Sequence, residues 1–241
     1  MNTLGSRMKE YEHVTRTKLP RRMPVLIRID GKAFHTYTKG MKKPFDETLM
    51  AAFWETCQYL AKKISGCKVV YHQSDEISLL LTNDDALETE AWYDNNILKL
   101  VSVSATLATA KFNEVIHRTY PAKELAIFDA RAFVLPKEEV NNYFVWRQQD
   151  AMRNSVSAVG QAHFKHKELQ GLRGDAIKRK LKEEKAVIWD DMPIAHQRGV
   201  CIIRDTYLKD EAVRHHWKVE DDIPVFAKEA TYIQKFLLPH A

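Results

Sequence analysis

The stretch VVYHQSDEISLLL at residues 69–81 decides the fold, because strand-forming side chains fill both of its ends. This pattern predicts a β-hairpin over residues 67–82. Three polar residues, Ser74, Asp75 and Glu76, lie at the predicted tip. Two adjacent acids there are either ordinary turn chemistry or part of a metal site.

The segments around the hairpin follow the order β-α-β-β-α-β. Residues 24–30 form a compact β-type run, and residues 46–64 repeat apolar side chains at the spacing of an amphipathic helix, with Asp46 as N-cap. The apolar residues 96–117 favour a packed helix, and residues 125–135 alternate like a strand. This is the order of the ferredoxin-like split βαβ arrangement, in the α+β class.

The rest of the chain is predicted to be mainly helical. Helices are expected at residues 138–163 and 168–185, a strand at 198–206, and a further helix near 225–237. The predicted architecture is therefore a βαββαβ core with a helical, basic C-terminal appendage.

Charge is concentrated in one part of this appendage. The net charge is +5, and residues 163–185 hold eight lysines and arginines against four acids. Two interpretations are open for this basic run. It is either a solvated helix face with ion pairs or a surface that contacts a phosphate backbone.

The composition, 45% hydrophobic and 29% charged, is ordinary for a globular protein. No apolar run approaches the roughly 20 residues of a membrane span, and residues 1–19 are too polar for a secretory signal. Three cysteines, Cys57, Cys67 and Cys201, form no CxxC pair. We therefore expect a cytoplasmic protein with reduced thiols, and the spacing argues against structural zinc.

Two carboxylates are predicted to meet at one edge of the sheet. Asp30 ends the first strand and Asp75 lies at the hairpin tip, and in a βαββαβ sheet these strands are central neighbours. Convergent carboxylates bind Mg²⁺ together with substrate phosphates, and two such ions assist in-line displacement at phosphorus. The backbone after Gly31, through residues 32–35, and Lys43 could hold a triphosphate.

Structural interpretations of these residues stay open, since Asp-Gly and Asp-Glu are common in turns. The sequence contains no P-loop and no GxGxxG motif, and no nucleophile elbow surrounds Ser74. His35, His72 and His117 are isolated. Trp146, on a predicted helix, is more typical of a core residue.

Several motifs, in order, resemble those of the tRNA-His guanylyltransferase superfamily. RIDGKAFH and KPFD lie within residues 28–49, and YHQSDEISLLL spans residues 71–81. FDARAFVLP at 128–136 is similar to the family's F-D-x-R strand, and WRQQD at 146–150 to its W-R-Q-x-D helix. The resemblance covers about residues 22–160 and is loose beyond them.

One segment separates the chain from the eukaryotic members of that family. Those enzymes carry H-I-N-N-L-Y-N after W-R-Q-x-D, whereas this chain has MRNSVSA at residues 152–158. Met152 replaces the histidine, and Asn154 keeps one asparagine. The pattern resembles the bacterial and archaeal guanylyltransferase-like proteins, which restore missing 5′ nucleotides on truncated tRNAs by using the opposite strand as template.

The resemblance implies a polymerase/cyclase-type palm with two Mg²⁺ ions. ATP activates the 5′ end of tRNA, and the 3′-hydroxyl of an incoming GTP or other nucleoside triphosphate then attacks the activated phosphate. A palm-like catalytic core is implied for residues 1–137. Residues 138–241 would complete the site and contact the tRNA 5′ end and acceptor stem. A homotetramer is also implied.

The resemblance further assigns roles to single residues. The implied catalytic and metal-binding residues are Asp30, Gly31 (through its carbonyl), Asp75 and the adjacent acid Glu76. The implied nucleotide contacts are Lys32, Ala33, Phe34, His35, Lys43, Asp46 and Ser74. The implied tRNA contacts are Arg28, Arg131, Arg147, Asn154, Lys178, Arg179, Lys180 and Lys182.

Two other functions stay open. The first is a nucleotide cyclase on the same palm, although the chain carries no GG[DE]EF-like signature. The second is a tRNA-binding protein without catalysis. The two retained acids argue against the second, because carboxylates that face RNA phosphate without a cation are costly.

Overall fold

A computed structural model of the chain describes residues 3–209 and 212–238. Within this part of the chain, one antiparallel sheet has six strands in the order β4-β1-β3-β2-β5-β6. The strands are β1 (Val25–Gly31), β2 (Cys67–Gln73), β3 (Glu76–Leu81), β4 (Phe128–Val134), β5 (Val200–Lys209) and β6 (Ala212–Glu220).

Helices flank the sheet on both faces. They are α1 (Leu4–His13), α2 (Phe34–Tyr37), α3 (Glu47–Lys63), α4 (Ile97–Ile116), α5 (Lys137–His163), α6 (His166–Leu169), α7 (Gly174–Lys185), α8 (Ile194–Arg198) and α9 (Thr231–Gln234). Short 3-10 turns lie at Trp92–Asn95, Trp189–Asp191 and Lys235–Leu237. In the described residues no helix combines the length and the apolar character that crossing a membrane requires.

The hairpin of β2 and β3 lies at the centre of the sheet, and every residue of both strands is buried. Gln73 pairs with Glu76 across Ser74 and Asp75, so the tip is a two-residue turn. Ser74 has a positive φ of 53°, as two-residue hairpin turns require of their first residue. The predicted hairpin is confirmed.

Two hydrophobic cores lie on opposite faces of the sheet. On one face, Phe53 of α3 packs with Phe112 of α4. On the other, Phe144 of α5 packs with Phe226 from the C-terminal segment. The amphipathic spacing of α3 therefore places its apolar side against the strands, and the predicted N-cap Asp46 is confirmed.

The predicted α+β class is confirmed. The strands predicted at residues 24–30 and 125–135 are observed as β1 and β4, and the helices predicted at 46–64 and 96–117 as α3 and α4. The local pattern of the apolar residues was sufficient for these elements, because β1 and β4 form part of the sheet and α3 and α4 each bury an apolar face against it.

The C-terminal part differs from the mainly helical prediction. Strand β5 pairs with β2 and β6 with β5, so this part also extends the sheet. The helix predicted at residues 168–185 is divided into α6 and α7 near Gly171, whose φ is +79°; this backbone conformation interrupts a right-handed helix. Sequence analysis did not predict β6, in which only Trp217 and Val219 pack on the core among charged and histidine residues.

Candidate active site

The two acids predicted to bind metal meet at one edge of the sheet. Asp30 lies at the end of β1 and pairs in register with Glu76 of β3. Asp75 lies in the β2–β3 turn, and its carbonyl oxygen accepts a hydrogen bond from the Gly31 amide at 3.1 Å. This bond ties the end of β1 to the hairpin tip, so the structure brings the two acids together.

Asp30 and Asp75 have no salt-bridge partner among the described residues. Burial raises the pKa of Asp75 and the nearby charge of Asp30 raises it further, while the Ser74 hydroxyl, which donates to Asp75 at 3.0 Å, opposes the rise. Two carboxylates in this state favour a bound cation.

The donor set fits Mg²⁺. No group of three or more His, Cys, Asp and Glu side chains in the described part of the chain is placed to hold a metal. Mg²⁺ does not need such a cage, because it is usually bound by one or two carboxylates and takes its other ligands from substrate phosphates and water. The oxygen-only chemistry of Asp30 and Asp75 meets this requirement.

Glu76 is engaged by Arg147 rather than by the acid pair. Its two carboxylate oxygens accept hydrogen bonds from Nε and Nη2 of Arg147 at 2.7 and 2.6 Å, and Nη2 also donates to Asp150 at 3.0 Å. Burial raises the pKa of Glu76, and the Arg147 guanidinium opposes that rise. The catalytic role of Glu76 and the tRNA contact of Arg147 stay predictions that this geometry does not favour, because each buried charge already neutralises the other.

Fewer backbone amides of residues 32–35 are available to bind phosphate than the sequence predicted. The Lys32 amide donates to the carbonyl oxygen of Ile127 at 2.8 Å, so it is already engaged. Ala33 adopts a left-handed backbone with φ 55° and turns the chain into α2. The amides of Phe34 and His35, at the start of α2, donate to no other described residue and are free to bind an anion.

Gly31 lies against the ring of Phe34, one of the two residues with free amides. A methyl group at position 31 would be 2.2 Å from Cδ2 of Phe34. The ring has little room to move, because it is buried among other aromatic rings. These are Tyr37, Phe53, Phe112 and Phe128.

We expect Gly31→Ala to destabilise the protein by about 1–3 kcal/mol, the usual cost of overpacking a well-packed core. Because the Phe34 ring and amide move together, the predicted binding of a nucleoside triphosphate should also weaken. Thermal unfolding and nucleotide titration measure the two effects. Gly5→Ala is the matched control, since a methyl group there meets no atom within 4 Å. Equal melting temperatures for both variants would contradict the expectation.

Asp46 already makes three hydrogen bonds. It accepts from the amides of Leu49 and Lys42 at 2.9 and 3.0 Å and from the Tyr120 hydroxyl at 2.9 Å. Burial acts to raise its pKa, but these donors hold the pKa below its usual value. Any contact of Asp46 with a nucleotide base, which stays a prediction, must therefore coexist with its capping role.

A cleft of about 740 Å³ opens beside the acid pair, between the start of α3, α5 and α8. This volume is in the range of small-molecule sites. Lys43 is exposed at the cleft. The predicted site residues that line it are Asp30, Gly31, Ala33, Phe34, His35, Lys43, Asp46, Ser74, Asp75 and Asn154.

The cleft also includes side chains that sequence analysis did not identify. Phe45 stacks on His196 of α8, with ring centroids 4.4 Å apart, and burial lowers the pKa of His196. The buried atoms Trp54 Nε1 and Gln73 Oε1 have no hydrogen-bond partner among the described residues. Such groups come from separate segments, so no local motif marks them.

The four basic residues predicted on α7 divide into two pairs. Lys178 forms a salt bridge with Asp190 at 2.8 Å, and Lys180 forms one with the acid four residues later at 2.6 Å. Arg179 and Lys182 are exposed and form no salt bridge within the described residues. Lys178 and Lys180 therefore fit the interpretation as an ion-paired helix face, whereas the contact of the basic run with tRNA phosphate stays a prediction.

Arg28 and Arg131 lie directly opposite each other on β1 and β4. Neither forms a salt bridge with another described residue, and Arg131 is exposed. Trp146, beside Arg28 on α5, is 50% exposed, so the expected core position of Trp146 is wrong. Its helix buries the neighbouring residues Tyr143 and Arg147 instead.

Comparison with known proteins gives consistent matches. A family model described as tRNAHis guanylyltransferase matches residues 5–136. A bacterial tRNA(His) guanylyltransferase-like protein, solved in complex with ATP, is 54% identical with a TM-score of 0.93, and the match covers 99% of this chain and 100% of that one. Another such structure, in complex with GTP, is 50% identical with a TM-score of 0.84, covering 97% and 98% of the two chains.

More distant relatives are eukaryotic. The tRNA(His) guanylyltransferase of Schizosaccharomyces pombe is 32% identical over 154 residues, which are 62% of this chain and 56% of that protein. The chain thus matches little more than half the length of this curated relative. The tRNA(His) guanylyltransferase structure from Saccharomyces cerevisiae is 18% identical with a TM-score of 0.73, covering 94% and 100% of the chains, and it supports the fold alone.

Proposed function

The chain belongs to the tRNA-His guanylyltransferase family, and from this membership we propose that it adds nucleotides to the 5′ end of tRNA in the 3′-to-5′ direction. ATP would adenylylate the 5′-phosphate and release pyrophosphate. The 3′-hydroxyl of an incoming nucleoside triphosphate would then form a new bond to that phosphorus and release AMP. The opposite strand would select the nucleotide, so truncated tRNAs are the proposed substrates.

Asp30 and Asp75, with the carbonyl oxygen of Gly31, are the proposed ligands of two Mg²⁺ ions. When bound, these ions neutralise charge on the attacking and leaving oxygens of a displacement at phosphorus. Asp30 and Asp75 would hold this charge at the strand ends, and Ser74 would orient Asp75 through its hydrogen bond. The single observation that carries the proposal is this acid pair, which forms no salt bridge among the described residues, beside a nucleotide-sized cleft.

The remaining cleft residues are proposed to bind the triphosphate. The free amides of Phe34 and His35 would donate hydrogen bonds to phosphate oxygens, and the exposed ammonium group of Lys43 would supply a positive charge. The ATP and GTP complexes of the two similar bacterial structures support this assignment. Asp46 would contact the base while it caps α3.

We also propose that β4-β1-β3-β2 with α3 and α4 form a ferredoxin-like palm, the arrangement that their order and pairing support. The C-terminal part would complete the cleft through α5 and α8. The division after residue 137, the homotetramer and the cytoplasmic location stay predictions.

The test is an extension assay on a tRNA that lacks its first 5′ nucleotide, with Mg²⁺, ATP and GTP. We expect addition of the nucleotide complementary to the opposite base, and none after a template mismatch, after removal of Mg²⁺ or with Asp30→Asn. No extension by the wild type, with salt-sensitive tRNA binding, would favour the non-catalytic alternative. A cyclic product from GTP alone would favour the cyclase.

A further inference from the structure

Trp146 is a large aromatic side chain that the fold leaves half exposed. Trp146, on α5, is 50% exposed and is not part of the 740 Å³ cleft. Tyr143 meets the ring at a centroid distance of 6.1 Å and is itself fixed by a 2.7 Å hydrogen bond between its hydroxyl and Ser78. The ring is therefore supported by a rigid neighbour, and about half of its surface is free to contact a ligand.

Positive charge surrounds this ring. The guanidinium carbons of Arg147 and Arg28 lie 4.5 and 5.8 Å from the ring centroid. Arg147 is neutralised by Glu76, but Arg28 has no salt bridge among the described residues, and its buried Nε has no hydrogen-bond partner there. Arg28 acts on Glu76 only through its charge, so its guanidinium group keeps hydrogen-bond donors for a ligand beside Trp146.

Arg131 adds a second positive charge next to Arg28. Arg131 lies directly opposite Arg28 in the β1–β4 ladder, and like charges opposite each other destabilise a sheet. A phosphate group between the two guanidinium groups would satisfy both through charge-assisted hydrogen bonds. Aromatic surface next to a phosphate site is the combination that binds a nucleotide with an unpaired base.

Arg28, beside Trp146, lies on the same strand as Asp30 of the acid pair. Arg28 lies two residues before Asp30 on β1, so both side chains project from the same face, about 7 Å apart along the strand. A nucleotide whose phosphate is held at Arg28 would therefore lie next to the proposed metal site without entering the cleft.

We propose that Trp146 is a stacking platform for the unpaired base of a nucleotide whose phosphate is held by Arg28 and Arg131. Resting on the proposed function, the inference assigns this nucleotide to the 5′ end of the RNA that is extended. The ATP that activates this 5′ end also carries a base and phosphate groups, so it is the other possible ligand of the same site. The experiment separates the two sources.

The first arm measures binding without turnover. A truncated tRNA with 2-aminopurine at its 5′ end should lose fluorescence on binding the wild type, because the base stacks on the ring. Trp146→Ala should weaken binding about tenfold and abolish the quenching, since one base stack contributes about that much. Trp146→Phe should retain most of both effects. This arm remains informative even if the wild type adds no nucleotide, so the two proposals can fail separately.

The second arm measures kinetics. If the base belongs to the RNA, Trp146→Ala raises KM for tRNA and leaves KM for ATP and GTP unchanged; if it belongs to ATP, KM for ATP rises instead. Tyr207→Ala is the control, because it removes another exposed aromatic ring from β5. Unchanged binding, quenching and KM values for a folded Trp146→Ala would overturn the proposal. A changed subunit number with unchanged binding would also overturn it and assign the ring to a subunit contact.

Discussion

Replacing Asp75 with asparagine should abolish nucleotide addition while leaving the folded protein at least as stable as the wild type. The charge that the proposed Mg²⁺ ions need disappears, and loss of several kcal/mol of transition-state stabilisation corresponds to a rate at least about a hundredfold lower. Stability should not fall, because burial and Asp30 raise the pKa of Asp75. A raised pKa in the folded state means that ionisation at neutral pH opposes folding.

The extension assay and thermal unfolding measure these two effects on the same preparations. Mg²⁺ with GTP should raise the melting temperature of the wild type, and this shift should be absent in Asp75→Asn. Asp222→Asn, at an exposed position, should behave like the wild type in both assays. Full activity of Asp75→Asn, or a large loss of stability, would show that Asp75 has a structural role instead.

Arg147→Met should destabilise the protein by about 3–5 kcal/mol, because it leaves the buried carboxylate of Glu76 without its partner. The double variant Glu76→Leu with Arg147→Met should recover much of this loss, since replacing both members of a buried ion pair by apolar residues is often close to neutral. Urea denaturation of the single and double variants gives the coupling free energy between the two side chains.

This cycle also tests the two roles that sequence analysis assigned. If Arg147 contacts tRNA, the double variant should bind tRNA poorly although its stability is restored. If Glu76 is catalytic, the double variant should bind tRNA normally and fail to extend it. We expect neither loss, because the pair is 5% and 7% exposed and lies outside the cleft. Additive effects of the two single changes on stability would contradict the ion pair itself.

Most of the central fold was predictable from local sequence. The compact β-type run of β1, the alternation of β4, the helical spacing of α3 and the polar tip at Ser74 and Asp75 each depend on a few consecutive residues. Strand β6 was not predictable in this way, because as the last strand of the sheet it packs only Trp217 and Val219 on the core.

Of the residues at the cleft, some could be placed from the sequence and others could not. Asp30 and Asp75 could be placed together, because the strand order of a βαββαβ sheet determines which strand ends are neighbours. His196 and Phe45 could not, since their stacking joins segments about 150 residues apart that share no periodic pattern.

The sequence by itself determined the strands and helices of the central βαββαβ part and that Asp30 and Asp75 lie at neighbouring strand ends. Only the tertiary structure decided which polar groups are already engaged: Glu76 by Arg147, the Lys32 amide by Ile127, and Asp46 by three donors. It also decided that Trp146 is exposed beside Arg28. Local sequence reports periodicity and turn chemistry, whereas the partner of a buried charge and the exposure of a ring depend on residues far away in the chain.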